Sequence, residues 1–130
     1  MAEEDREPEG HVISRTVAMP ANTNPNGDIF GGWIMSEMDI AAGMLAKQIA
    51  CSRVTTVSVN TIHFLRPVKV GDTVTCYGRL ERVGRTSMEL KIEVWAASAM
   101  EKIESEKCVT EATFTFVAID DAGKPTPVKR

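Results

Sequence analysis

The chain has no apolar run approaching the ~20 residues that a membrane-crossing helix needs, and so no segment that reads as a span. Aromatic residues are few, at 5%. Basic excess is absent: 15 Lys and Arg stand against 18 Asp and Glu, a formal net charge of -3. A mildly acidic molecule gives no electrostatic reason to expect nucleic acid or an anionic membrane as partner, and an anionic ligand must be held by local basic groups. Cysteine is sparse. Cys51, Cys76 and Cys108 cannot all pair within one chain, and their spacing fits no metal-ligand or CxxC pattern. With only His11 and His63 available, no His/Cys cluster suggests a metal, and no GxSxG elbow suggests a serine hydrolase. The opening residues carry Glu3, Glu4, Asp5, Glu7 and Glu9, the wrong chemistry for a signal or transit peptide. Thiols that stay reduced make the cytosol the expected compartment.

What is present fits one domain, since 130 residues can bury a core without staples. Residues 1–10 read as a flexible acidic tail, 11–119 as the folded domain, and 120–130, with Gly123, Pro125 and Pro127, as a flexible C-terminal tail. His11 to Met19 is roughly alternating and β-branched, a first strand. The stretch from Pro20 to Asp28 is saturated with turn formers. From about Gly31 to Ile49 the spacing becomes helical, with Ile34, Met38, Ala41, Ala42, Leu45 and Ile49 on one stripe. Met35, Ile40, Gly43, Met44 and Ala46 make the rest of that helix apolar or small too, which predicts a buried helix. Val54–Leu65, Thr73–Val83, a run through Met88, Leu90, Ile92 and Val94, and Glu106–Ile119 read as strands with mostly hairpin-length links. The order β-α-β-β-β-β predicts an α+β fold with a mostly antiparallel sheet. A helix apolar on nearly all sides needs that sheet to wrap it, a second subunit to cover it, or both.

Asp39 stands out within this helix. It lies mid-helix, too far in to cap the N-terminus, with no Lys or Arg one turn away. One reading is an aspartate paired with a tertiary Arg or backbone amide. The other is a desolvated carboxylate poised as a general base. The residues leave both open. Asn24-Pro-Asn-Gly27 leads into Gly31-Gly32 at the helix start. That segment is either a tight loop with a glycine helix start, or a place where a ligand carbonyl approaches unpaired N–H groups at the positive end of the helix. His63 reads as structural and Cys76 as core. Gly84-Arg85-Thr86-Ser87, at a hairpin, offers amides, a guanidinium and hydroxyls to a phosphate, although arginines at turns are commonly just solvated.

The stretches Met19-Pro-Ala-Asn22, Asn24 through Trp33 and Met38-Asp-Ile-Ala41 together resemble the acyl-CoA thioesterase family with the hotdog fold, in its bacterial YciA-like branch. Val59-Asn60, Phe64-Leu-Arg-Pro-Val68, Val70-Gly-Asp72, Val83-Gly-Arg-Thr-Ser87 and Thr110-Glu-Ala-Thr-Phe114 extend the resemblance over roughly His11 to Ile119. It implies a long helix wrapped by an antiparallel sheet, with sheets joined across a homodimer that assembles further to a hexamer. It implies Asp39 as catalytic carboxylate, Asn24 working opposite it from the partner subunit, and Gly32 with Gly31 at the helix start polarising the thioester carbonyl. Gly84, Arg85 and Ser87 match a region associated with the CoA portion. No cofactor is implied, coenzyme A being part of substrate and product. Asp39 then serves as general base or as nucleophile. The rival readings are a hotdog dehydratase or hydratase, which would want a His beside the acid, and a non-catalytic acyl-CoA-binding protein, which would not need the Asn24–Asp39 pair.

Overall fold

In the computed structural model, which describes residues 6–129, the period-two pattern of the fourth strand is the easiest to follow into space. Met88, Leu90, Ile92 and Val94 are all fully buried on one face of that strand. They form the floor on which the helix lies. The elements are β1 (His11–Val17), α1 (Gly31–Ala50), β2 (Arg53–Phe64), β3 (Thr73–Val83), β4 (Ser87–Ala97) and β5 (Lys107–Ile119), with single 3-10 turns at Pro20–Asn22 and Ile103–Ser105. The sheet is antiparallel in every pairing, in the order β1-β3-β4-β5-β2, and α1 touches all five strands. This is the hotdog arrangement that the resemblance implied.

The helix packs through Ile34, Met38, Ala41, Ala42, Ala46 and Ala50. Four alanines on that face let its axis sit close to the sheet, where Met38, Phe114 and Phe116 fill the core. α1 ends where Cys51 takes a left-handed conformation (φ 53°) and its N–H closes onto the Lys47 carbonyl.

Three expectations are refined. The helix is not buried all round: Ile40 is 57% exposed, and Met35 and Met44, on opposite flanks of the helix, are 38% and 46% exposed. The sheet covers one side only, so the apolar second side awaits another cover. Among the last four strands the links mostly join adjacent strands, as expected, but one is a crossover. β2 pairs with β5 at one edge, and residues 65–72 carry the chain to β3 on the far side of β4. That link is held by Leu65 N–H to Val109 O, Ile29 N–H to Val68 O and Gly71 N–H to Ala18 O, with Val68 fully buried.

The third concerns the expected tails. Residues 1–5 lie outside the described residues, but Arg6 and Glu9 are fixed on the outer face of the sheet. Arg6 Nη2 donates to Glu93 Oε2 (2.6 Å) and Glu111 Oε1 (3.2 Å), and the Glu9 N–H donates to Glu93 Oε1 (3.2 Å). At the other end, a turn over Asp120–Lys124 sends the chain back along β5. Pro125 bridges Ile119, the Thr126 N–H donates to Ala118 O, and Val128 packs against the core. Short polar sequences look unstructured because they lack apolar periodicity; these are ordered by hydrogen bonds and one ion pair to a buried carboxylate.

Candidate active site

Asp39 projects from the middle of α1 on the flank beside β2, and in the single chain it is exposed rather than buried. Its Oδ1 accepts a hydrogen bond from Thr56 Oγ1 of β2 at 2.6 Å. That contact makes the carboxylate an acceptor in a fixed orientation, with Oδ2 still available. A hollow of about 300 Å³ opens beside it, lined by Gly32, Met35, Ser36, Asp39, Thr56, Val59 and Phe114. A second of about 470 Å³ continues from Asp39 along the helix past Gly43 and Met44 to Lys47, Arg53, Thr55 and Phe116. A mostly apolar floor with one fixed carboxylate and a cationic far end suits an elongated substrate with an anionic extremity.

The helix start is uncapped. Phe30, the N-cap, is extended and supplies no side-chain cap, and the first turn holds no acidic residue. Among the described residues the Gly31 and Gly32 amides meet no acceptor, so the positive end of the helix is open to a developing oxyanion. A methyl group on Gly31 would sit 3.3 Å from the ring of Phe64, and one on Gly32 would sit 3.3 Å from the ring of Phe30. The glycines therefore let two aromatic rings close over the helix start.

Asn24 is held by its loop. Its Oδ1 accepts from the Asn26 N–H (2.9 Å) and the Asp28 N–H (3.1 Å), and its own N–H donates to Asp28 O (2.7 Å). The side-chain carbonyl is thus occupied and the amide NH2 is presented outward as a donor. Lys69 pairs with Asp28 and braces the same loop. Asn24 lines a third hollow, of about 340 Å³, with Gly31, Ile34, Phe64 and Arg66. It shares none with Asp39.

Within one chain, then, Gly32 and Asp39 share a hollow, the adjacent Gly31 and Asn24 share another, and Asn24 and Asp39 line different hollows. Gly84, Arg85 and Ser87 sit apart again, at the β3–β4 turn, where the Gly84 N–H donates to Ser87 O at 2.8 Å. Ser87 opposes Val117 and Val117 opposes Thr55, so the turn begins one rung beyond Thr56 and two strands over, about 10 Å across the sheet. His63 lies exposed on β2 opposite Glu111, away from Asp39.

Sequence reasoning missed Thr56, Lys47 and Arg53. Thr56 is one of several strand threonines and has no spacing relation to Asp39, because the contact between them is purely tertiary. No group of three or more His, Cys, Asp or Glu able to hold a metal occurs among the described residues, and no helix is long and apolar enough to cross a membrane.

Against known proteins, the family model of the thioesterase superfamily matches residues 26–103. The acyl-CoA thioester hydrolase YciA of Salmonella typhimurium is 54% identical over 125 residues, spanning 95% of this chain and 94% of that protein. Among solved structures, the hexameric thioesterase y2039 from Yersinia pestis is similar with a TM-score of 0.90 at 50% identity, over 95% of this chain and 99% of the other. The hexameric broad specificity acyl-coenzyme A thioesterase HI0827 is similar with a TM-score of 0.88 at 51% identity, over 96% and 85%.

Proposed function

The chain belongs to the thioesterase superfamily, and from that premise we propose that it hydrolyses acyl-CoA thioesters to a free acid and coenzyme A. The observation that carries the reading is Asp39: a carboxylate oriented by Thr56 beside an apolar hollow.

Asp39 and Gly32 are seven residues apart, about 10 Å along the helix axis at 1.5 Å per residue. The Gly32 N–H points toward the N-terminus, away from Asp39. This spacing favours a site in which Asp39 of one chain faces the Asn24 loop and helix start of a second copy. The surfaces for such a pairing exist: the exposed apolar residues of α1, Ile40 with Met35 on its β2 flank, and the outer edge of the 12-residue strand β2. Pairing across β2 would join two sheets into one and cover the open side of α1. The solved relatives described as hexameric support a dimer that assembles to a hexamer.

In that site the thioester carbonyl oxygen accepts from the Gly32 amide at the positive end of the helix, with Gly31 leaving the approach open. The Asn24 NH2 donates to the carbonyl or to the attacking water. Asp39 takes a proton from water as the oxygen adds to the carbonyl carbon. The C–S bond then breaks and the thiolate leaves, taking up that proton. Alternatively Asp39 attacks directly, and water hydrolyses the mixed anhydride. Gly84, Arg85 and Ser87 hold phosphate of the CoA portion. The scheme uses the chain's own residues and no cofactor. Three free cysteines fit the reducing cytosol.

The test is free-thiol release from acyl-CoAs of short to long chain, with Asp39→Ala and Asp39→Asn as controls. We expect release by the unsubstituted protein, and a loss of at least 100-fold in both variants with the oligomer intact. Near-normal hydrolysis by Asp39→Asn overturns the assignment. Tight binding without release from any acyl-CoA favours the non-catalytic alternative.

A further inference from the structure

The segment after β5 runs back to the turn that carries Gly84, Arg85 and Ser87. Three hydrogen bonds fix that turn. The Gly84 N–H closes it onto Ser87 O, the Ala118 N–H of β5 donates to Thr86 O, and the Val128 N–H donates to Arg85 O, each at 2.8 Å. Both carbonyls at the tip are thereby occupied from outside the turn. The N–H groups of Arg85 and Thr86 meet no acceptor among the described residues, and Arg85 is exposed. Two open amides, a guanidinium and the Ser87 hydroxyl make a cradle for a phosphate. A methyl group on Gly84 would meet Ser87 Oγ at 2.8 Å, so a larger residue there would turn the Ser87 hydroxyl aside.

The segment that supplies Val128 is itself built for the purpose. Asp120 Oδ1 accepts from the Ala122 and Lys124 amides (2.9 Å each), and Gly123 takes φ +81°, so the chain reverses tightly after β5. Along the returning Pro125-Thr-Pro-Val128, Thr126 donates to Ala118 O and Val128 donates to Arg85 O. The alternate positions, which need no donor, are prolines. Proline fixes the backbone in an extended form and costs the segment little freedom on ordering.

We propose that residues 125–129 are a positioning element for the nucleotide end of the substrate. They hold the Gly84–Ser87 turn in its phosphate-accepting shape through the Val128 N–H. This rests on the reading of the chain as an acyl-CoA hydrolase, and on that turn as the CoA contact. A hairpin tip left with solvated carbonyls samples many shapes, and the C-terminal segment removes that freedom without touching the acyl group or Asp39.

The test compares one acyl group carried on CoA and on pantetheine, which lacks the nucleotide, using the full-length oligomer. Val128→Pro removes the donor, and a chain ending at Pro125 removes the segment. Arg85→Ala reports on the turn itself. For Val128→Pro and the shortened chain we expect KM for acyl-CoA to rise about tenfold with kcat unchanged, and KM for acyl-pantetheine to stay within about twofold; Arg85→Ala should show the same selectivity. Titration of CoA and of pantetheine by calorimetry gives the same comparison without turnover. If Arg85→Ala discriminates and both C-terminal variants do not, the positioning role is overturned while the CoA turn stands. If Arg85→Ala fails to discriminate, the CoA turn itself fails, and an unsubstituted protein that releases no thiol refutes the hydrolase reading. Equal losses on both substrates mean the segment serves general stability, and the proposal fails.

Discussion

Thr56 Oγ1 donates to Asp39 Oδ1 at 2.6 Å, tying the midpoint of the helix to the edge strand β2. The bond joins the candidate carboxylate to the strand at which a second copy is proposed to pair. It sets which carboxylate oxygen is left for water or substrate. Hydrogen bonds to charged groups contribute about 1.5–3 kcal/mol.

Thr56→Val keeps the shape of the side chain and removes the donor. If part of that energy is expressed in the transition state, kcat should fall about tenfold, the equivalent of about 1.4 kcal/mol, with KM little changed. Thr56→Ser, which keeps the hydroxyl, should recover most of the rate. The thiol-release assay on both variants decides it; equal rates for Val and Ser would mean that Thr56 does not orient Asp39.

Much of this was legible in the sequence, and what was not has physical reasons. The helix and β3 were bounded within a residue, because apolar periodicity and flanking glycines act locally. The partner of β2 was not, since pairing with β5 across some fifty residues leaves no local mark. Asp39 was read as buried because Met35, Ile40 and Met44 are apolar, and a sequence does not distinguish cover by the chain's own sheet from cover by another copy. The Pro125-Thr-Pro-Val128 segment was read as a tail because prolines are poor in strands, yet here they occupy the positions that donate nothing.

A second prediction concerns the N-terminal clasp. Glu93 is fully buried and is held by Arg6, by the Glu9 N–H and by Trp95 Nε1 (2.9 Å), while the Arg6 guanidinium lies 5.7 Å from the centre of the Trp95 ring. Removing one partner of a buried charge leaves the other uncompensated. Arg6 is 26% exposed at the side chain, and two donors to Glu93 remain, so Arg6→Ala should cost about 1–2 kcal/mol rather than the larger values of deep pairs. Glu93→Ala, which also opens a cavity and leaves the Trp95 Nε1–H and Glu9 N–H without their acceptor, should cost more. Urea unfolding at fixed protein concentration checks the order; an Arg6→Ala protein as stable as the parent would mean that residues near the N-terminus contribute nothing.

The thiols divide by burial. Burial pushes Cys76 up to about 11 and Cys108 up to about 11 from an ordinary value of 9.0, whereas Cys51 is exposed at the end of α1. At pH 8 one thiol should react quickly with iodoacetamide, and two more only in denaturant. The same shifts set a direction for stability. Below pH 9 these thiols are protonated in both states and their contribution is complete. Between 9 and 11 the unfolded chain loses its thiol protons first, so stability should fall as pH rises toward 11. Cys76→Ala and Cys108→Ala should each flatten that fall; an unchanged slope in both would assign it to other groups.

The last prediction concerns the division of the site between chains. Asn24 is locked to its own loop by two backbone amides and lines a different hollow from Asp39, which supports the proposal that separate copies supply the two residues. Asn24→Ala and Asp39→Ala proteins should each be inactive alone. When they are unfolded together and refolded as a mixture, half of the dimers pair one variant with the other. Each mixed dimer holds one site with both residues intact and one with neither, so about a quarter of the unsubstituted activity should return. If instead each chain carried a complete site, every site in the mixture would still lack one residue and nothing would return. The amount of thiol released after co-refolding therefore separates a shared site from a private one, and does so without any assumption about which step Asp39 catalyses.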